Sequence, residues 1–435
     1  MPTPVRRPVR AALTALVAVL LLLVTACSTG TDPAGQSAED GGGTETADEQ
    51  DAAPSDEPLG WGPTGEELAR AQDLVAEWTP EQLAGQVIVG RYHGTDPAVP
   101  AALVEDLHLA GVSMTGSNIV DLEQVRATTE GVARAVAATG RDFPPVLGVD
   151  QEGGVVAHLD GIATTFPSFA TAGSAVERGR AGRRAVIGAA RATGLELRSF
   201  GFTWVWAPVG DVTVGSADPT IGSRSPSTDP AVAARTVAAA TEGYREAGIA
   251  STVKHFPGHG AATEDSHEVL PALDVAMPDL VARDLPPFEA AFGAGSPGVM
   301  LGHLDVEALA PGVPATLAPE AYDLLRDEYG FEGVAVTDSL GMGAVMALDR
   351  PPVAALIAGA DLLLMPVDTR RAHSIVTRAV RSGEVPRERV EEAAARVIAA
   401  QLWLQRTAQE TPVPEDVATR AVAAAQALRD AAVGG

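Results

Sequence analysis

One cysteine, Cys27, and one lysine, Lys254, stand in a chain of 435 residues in which aromatic residues make up 4% and basic side chains number 31 against 57 acidic ones. A lone cysteine allows no internal disulfide and no zinc site built on paired thiolates. A formal charge of −26 repels phosphate backbones, which excludes a nucleic-acid binder that works through basic patches. The 46% share of hydrophobic residues is ample for a sizeable core, and the length admits one large domain or two or three small ones. Because the other 30 basic residues are arginine, the single lysine marks a position that did not accept the exchange.

Residues 1–26 carry Arg6, Arg7 and Arg10, then an uncharged apolar run from Ala11 to Val24, then Thr25 and Ala26 before Cys27. A basic start, an apolar middle and small residues at the cut make a secretory signal. The run is shorter than the roughly 20 residues of a membrane-spanning helix. The ending Val24-Thr25-Ala26-Cys27 resembles a bacterial lipobox, whose cysteine becomes the lipidated first residue; an ordinary cleavable signal with an incidental cysteine is the alternative. Residues 27–60 hold nine carboxylates, no basic residue and Gly41-Gly42-Gly43, the composition of a disordered, self-repelling tether. Removing three basic residues with the leader and nine acidic ones with the tether leaves 28 basic and 48 acidic side chains, a charge of −20, for residues 61–435. An acidic domain of this kind suits a neutral or cationic ligand.

Apolar runs recur at 86–92, 111–114, 145–149, 202–207, 251–255, 298–302, 333–337 and 362–366, separated by longer alanine-rich amphipathic stretches. One such stretch opens at Asp229 with Pro230 behind it and ends before Gly248, the pattern of an N-capped helix with a glycine stop. Eight strands alternating with helices predict a (β/α)8 TIM barrel over 61–405, with a doubly wound sheet as the alternative and a helical extension over 406–435. Polar chemistry collects just beyond several different strands, as a barrel requires: Asp150 to Gly154 after the third, Lys254-His255 at the fifth, His303 and Asp305 after the sixth, Asp338 at the seventh.

Residues 254–267 pack the only lysine and three of the eight histidines into fourteen positions. Pro257, Gly258 and Gly260 interrupt any regular helix, so a strand end runs into a long shaped loop. Asp265, two residues before His267, is spaced to orient that imidazole for proton transfer. A metal site made from His255, His259, Asp265 and His267 is the competing reading, but the spacing fits no compact metal motif and Lys254 would oppose a divalent cation. Read alone, Asp338 before Ser339-Leu340-Gly341 is equally a helix-capping aspartate.

The run KHFPGHG followed by DSH, with GVDQEGG after the third strand, IGSRS at 221–225 and FEGVAVTDSLGM at 331–342, resembles family 3 glycoside hydrolases, and within them the bacterial NagZ-type β-N-acetylglucosaminidase branch. The resemblance implies a retaining mechanism with Asp338 as nucleophile and His267, polarised by Asp265, as acid and base, without a cofactor. It implies sugar contacts from Asp150, Arg224, Lys254 and His255, and it leaves His259 to brace the loop. One departure is plain: where the family reads Arg-Val-Gln-Arg this chain has Val155-Val156-Ala157-His158, so His158 replaces an arginine at a sugar-contact position with a shorter donor. The expected partners are a carbohydrate substrate such as a muropeptide and, through Cys27, the outer face of the cell membrane, with the chain acting as a monomer. A catalytically impaired sugar-binding lipoprotein, a phosphorylase and a β-glucosidase are the alternatives on the same fold.

Overall fold

The computed structural model describes residues 55–434 except Pro219; the leader, Cys27 and most of the tether lie outside the described residues. Eight strands, β1 (Ile88–Gly90), β2 (Gly111–Met114), β3 (Val146–Val149), β4 (Trp204–Val205), β5 (Ala250–Phe256), β6 (Gly298–Leu301), β7 (Val334–Thr337) and β8 (Leu363–Leu364), pair side by side in chain order. The last strand returns to the first, Leu363 opposite Ile88 in parallel register, and a parallel bridge between Val336 and Leu362 joins β7 to β8. The sheet therefore closes on itself and leaves no edge, which makes it a (β/α)8 barrel and removes the doubly wound alternative. All eight strands are buried, and parallel strands covered by helices read as continuous apolar runs for that reason.

Strand boundaries differ from expectation where other hydrogen bonds win. Gln86 closes the helix Pro80–Gln86 instead of opening β1. Phe202 donates its N–H to Leu197 O at the end of the preceding helix, and Pro208 has no N–H to offer, so β4 shrinks to two residues. The helix Pro230–Ala247 forms as expected: Asp229 Oδ1 accepts from Ala231 N and Val232 N, and Gly248 stops it at φ 67°.

Two tryptophans from the β4 segment fill the barrel. Trp204 Nε1 donates to Thr252 Oγ1 (2.6 Å) and Trp206 Nε1 to Ser113 Oγ (2.9 Å), so each indole satisfies its one polar atom while burying its rings. Gly148 on β3 makes room for this, since a Cβ there would lie 2.4 Å from the Trp206 ring.

The helix Arg387–Glu410 runs unbroken through position 405, and the following helix Val417–Val433 sets Ala421, Ala425 and Leu428 into the common core. Residues 55–60, assigned to the tether on composition, are held by backbone bonds: Leu59 N donates to Pro63 O, Gly65 N to Glu57 O and Glu66 N to Ser55 O. The capping box of Thr64 and Glu67 organises the turn they pack on.

Candidate active site

A cavity of ≈ 390 Å³ opens at the C-terminal ends of the strands, a size typical of small-molecule sites. Arg91 follows β1, Thr115 follows β2, Asp150 follows β3, Arg224 comes from the β4 loop, Lys254 and His255 from β5, Asp338 follows β7 and Met365 follows β8. The register slips by one residue between Lys254 and Phe256 against β6, and such a bulge re-aims side chains. Consecutive Lys254 and His255 both line the cavity as a result.

The floor is an ion network. Lys254 Nζ lies 2.6 Å from Asp150 Oδ1 and 2.6 Å from Glu152 Oε1. Arg224 grips Glu152 with both arms of its fork, Nε to Oε2 at 2.9 Å and Nη2 to Oε1 at 2.8 Å. Burial alone would push Glu152 up, but Lys254 and Arg224 outweigh it and hold the carboxyl at about 2. Burial likewise opposes the charge of Lys254, and Asp150 and Glu152 keep the ammonium above the ordinary lysine value. Two carboxylates against two cations leave the network neutral as a set.

Asp338 is buried at the rim of this network, with Oδ1 accepting from Ser339 N at 2.7 Å. Burial favours its neutral form, yet His255, His303, the Ser339 amide and Lys254 together bring its carboxyl below the usual carboxylate range. His255 is aimed from behind by Asp211, which is fully buried and accepts from both His255 N (3.0 Å) and His255 Nδ1 (2.8 Å). Burial lowers His303 below the ordinary histidine value, and its ring bridges Ser339 O from Nε2 at 3.0 Å and Thr316 Oγ1 from Nδ1 at 2.8 Å. That braces the segment carrying Asp338.

Above the floor, His267 Nδ1 lies 2.8 Å from Asp265 Oδ1, which also accepts the His267 backbone N–H at 2.9 Å. Burial opposes the charge of Asp265, but its bonds from His267 together outweigh it and hold the carboxyl below its ordinary value. An ionised carboxylate only accepts, so Nδ1 carries the hydrogen and Nε2 is the nitrogen free to give or take a proton. His267 lines the same cavity as Asp338.

The structure thus gathers Asp150, His158, Arg224, Lys254, His255, His267 and Asp338 around one cavity, with Asp265 behind His267. His158 Nε2 lies 3.9 Å from Asp150 Oδ2, so the replacement at 158 sits on the site wall, whereas Val155 points outward at 77% exposure. Asn118 is taken up by Tyr92 O and Gly94 O. Of the four candidate metal ligands, His255 is held by Asp211, His259 by Asp211 and Ser266, and Asp265 and His267 by each other, and among the described residues no three His, Cys, Asp or Glu side chains are arranged to hold a metal ion. Sequence reasoning passed over Glu152, Asp211 and Arg91, the last bonded to Ser339 Oγ at 3.0 Å. The rule that chemistry gathers after strand ends, applied to β1 and β4 as it was to β3 and β5, points to Arg91 and Asp211.

Residues 81–400 match the family model described as Glycosyl hydrolase family 3 N terminal domain. Beta-hexosaminidase LpqI of Mycobacterium tuberculosis (strain ATCC 25618 / H37Rv) is 34% identical over 403 residues, covering 88% of this chain and 95% of that protein. Its solved structure superposes with a TM-score of 0.67 at 32% identity, covering 76% of this chain and 96% of that one. The structure of a glycoside hydrolase family 3 β-N-acetylglucosaminidase from Paenibacillus sp. str. FPU-7 gives a TM-score of 0.73 at 30% identity, over 82% of this chain and 69% of that chain.

Proposed function

Because the chain belongs to glycosyl hydrolase family 3, we propose that it is a retaining exo-β-N-acetylglucosaminidase that removes terminal β-linked N-acetylglucosamine from peptidoglycan fragments or related glycans. The observation that carries this reading is one cavity lined by a buried carboxylate held ionised, Asp338, and by an imidazole leaning on a carboxylate, His267 on Asp265. Asp338 attacks the anomeric carbon as the glycosidic C–O bond breaks, and His267 Nε2–H gives its proton to the departing oxygen. The neutral Nε2 then takes a proton from water, whose oxygen displaces Asp338 and releases the sugar with retained configuration. Asp150, Arg224, Lys254 and His255 hold the ring hydroxyls and the N-acetyl region, and the fixed floor beneath them favours a chain-end sugar. The names of the relatives, a beta-hexosaminidase and a β-N-acetylglucosaminidase, support the choice of sugar.

Chromogenic β-N-acetylglucosaminide and β-glucoside assayed side by side test it: the first is cleaved faster, and cleavage of neither by protein that binds N-acetylglucosamine in calorimetry defeats the proposal in favour of a sugar-binding role. We further propose that Cys27 carries a lipid that holds the enzyme on the outer face of the membrane, supported by the basic leader and the Val24-Thr25-Ala26-Cys27 ending. Cys27→Ala should move the protein from the membrane pellet to the medium, and unchanged membrane retention contradicts the anchor.

A further inference from the structure

We propose that Asp211, His259 and Ser266 form a buried strut that transmits the position of the sugar-binding floor to the proton-transfer loop, making all three positioning residues for His267. The proposal rests on the reading of Asp265–His267 as the acid/base pair. Asp211 Oδ1 accepts from His255 N on the floor and from His259 N at the root of the loop, at 3.0 and 2.7 Å. The His259 ring spans the loop and its Nε2 meets Ser266 Oγ at 3.0 Å, one residue before His267. All three links are buried, at 0%, 1% and 3% exposure, whereas Glu264 between them is exposed. The loop thus leaves the surface at one hydrogen-bonded point and returns at another.

The backbone at the root has no room to shift. A Cβ on Gly260 would lie 2.2 Å from Val212 O, and Val214 N donates to Gly260 O at 2.9 Å. Among the described residues His259 Nδ1 has no hydrogen-bond partner; a buried orphan acceptor costs less than a buried orphan N–H, which puts the ring hydrogen on Nε2, donating to Ser266. On its far side the loop rests on the segment after β7, where Gly343 N donates to His267 O at 2.9 Å. The main chain of His267 is therefore pinned from two sides, and the Asp211 side ties it to His255 on the floor. Both strut bonds fall on one oxygen of Asp211, Oδ1, while Oδ2 takes His255 Nδ1, so the one carboxylate serves the strut and the floor histidine at once.

A strut that positions an acid matters most when the leaving oxygen needs its proton. Ser266→Ala deletes one oxygen and leaves the packing in place. In the full-length protein it should lower kcat/KM, which reads the glycosylation step, about tenfold on an N-acetylglucosaminide with a basic alkyl or sugar leaving group and by less than about twofold on a dinitrophenyl one. Its melting temperature should fall by only a few degrees, the cost of leaving one buried N–H without its acceptor. His267→Ala sets the reference, with the same selectivity and a larger loss. Asp211→Asn should instead raise KM with little leaving-group selectivity, because its amide oxygen can keep both strut bonds while His255 Nδ1 loses its acceptor. Equal loss on both substrates with Ser266→Ala, or no loss on either, beside a selective His267→Ala overturns the strut and leaves the acid/base reading intact. A non-selective His267→Ala overturns both.

Discussion

The wall that carries Lys254, Glu152 and Asp338 is buried and saturated with partners, whereas the loop that carries Asp265 and His267 stands 45% and 64% exposed on a single side-chain pair. The difference follows from what each part does with charge. A carboxylate that must stay ionised while it meets an anomeric carbon is served by fixed cations and dipoles in a water-poor site. A group that must exchange a proton with a leaving oxygen and then with water is served by access to solvent, and gives up rigidity for it. On the wall, position and protonation are set by the same network. On the loop they are set separately, by the strut and by Asp265.

Substitutions can break this contrast from either side. Asp338→Ala should lower kcat by about 10⁴-fold or more while binding of N-acetylglucosamine persists, read by turnover and calorimetry. Near-wild-type turnover would sink the nucleophile assignment. His267→Ala should lower kcat/KM about 10²- to 10⁴-fold on poor leaving groups and much less on activated ones, which a leaving-group series resolves.

Glu152→Gln attacks the wall through stability. It leaves Lys254 and Arg224 facing one another with half their counter-charge removed, and chemical denaturation at pH 7 should show a loss of about 3–5 kcal/mol. The sign with pH is definite: Glu152 sits at about 2 when folded, so its contribution is complete above the ordinary carboxylate value near 4.5 and fades as pH falls toward 2. The gap between wild type and Glu152→Gln should therefore narrow between those values, and a gap that widens there contradicts the charge assignment. Asp265→Asn strikes the loop and should leave stability within about 1 kcal/mol, because the pair is exposed, while still lowering turnover on poor leaving groups. The smallest effect is expected from His158→Arg, a change in KM of about two- to fivefold from a longer, bidentate donor beside Asp150; an unchanged KM places position 158 outside the sugar contacts.

Much of the barrel was legible because its strands are short, apolar and evenly interleaved with capped helices, so period and punctuation agreed from residue 86 onward. The strand ends were not, since the trimming of β4 depends on Phe202 bonding back to a helix, a tertiary choice that leaves no local mark. In the site, the lone lysine and the density of histidines after β5 announced the chemistry, and the motif resemblance supplied the roles. What stayed hidden were residues that act through others. Asp211 and Glu152 touch the reaction only by holding His255, Lys254 and Arg224, and single carboxylates near strand ends look alike until their partners converge in space. The resemblance already set position 158 apart from 155, and the structure agrees, with Val155 exposed and His158 on the cavity wall.

The central claim is that Asp338 becomes covalently glycosylated during turnover of an N-acetylglucosaminide. Incubation of the full-length protein with a 5-fluoro N-acetylglucosaminyl donor, followed by intact-mass measurement and peptide mapping, tests it most directly. The account predicts one added sugar residue, carried by the peptide containing Asp338 and absent in Asp338→Ala. A turning-over enzyme that accumulates no adduct, or that carries it on a different side chain, contradicts the account.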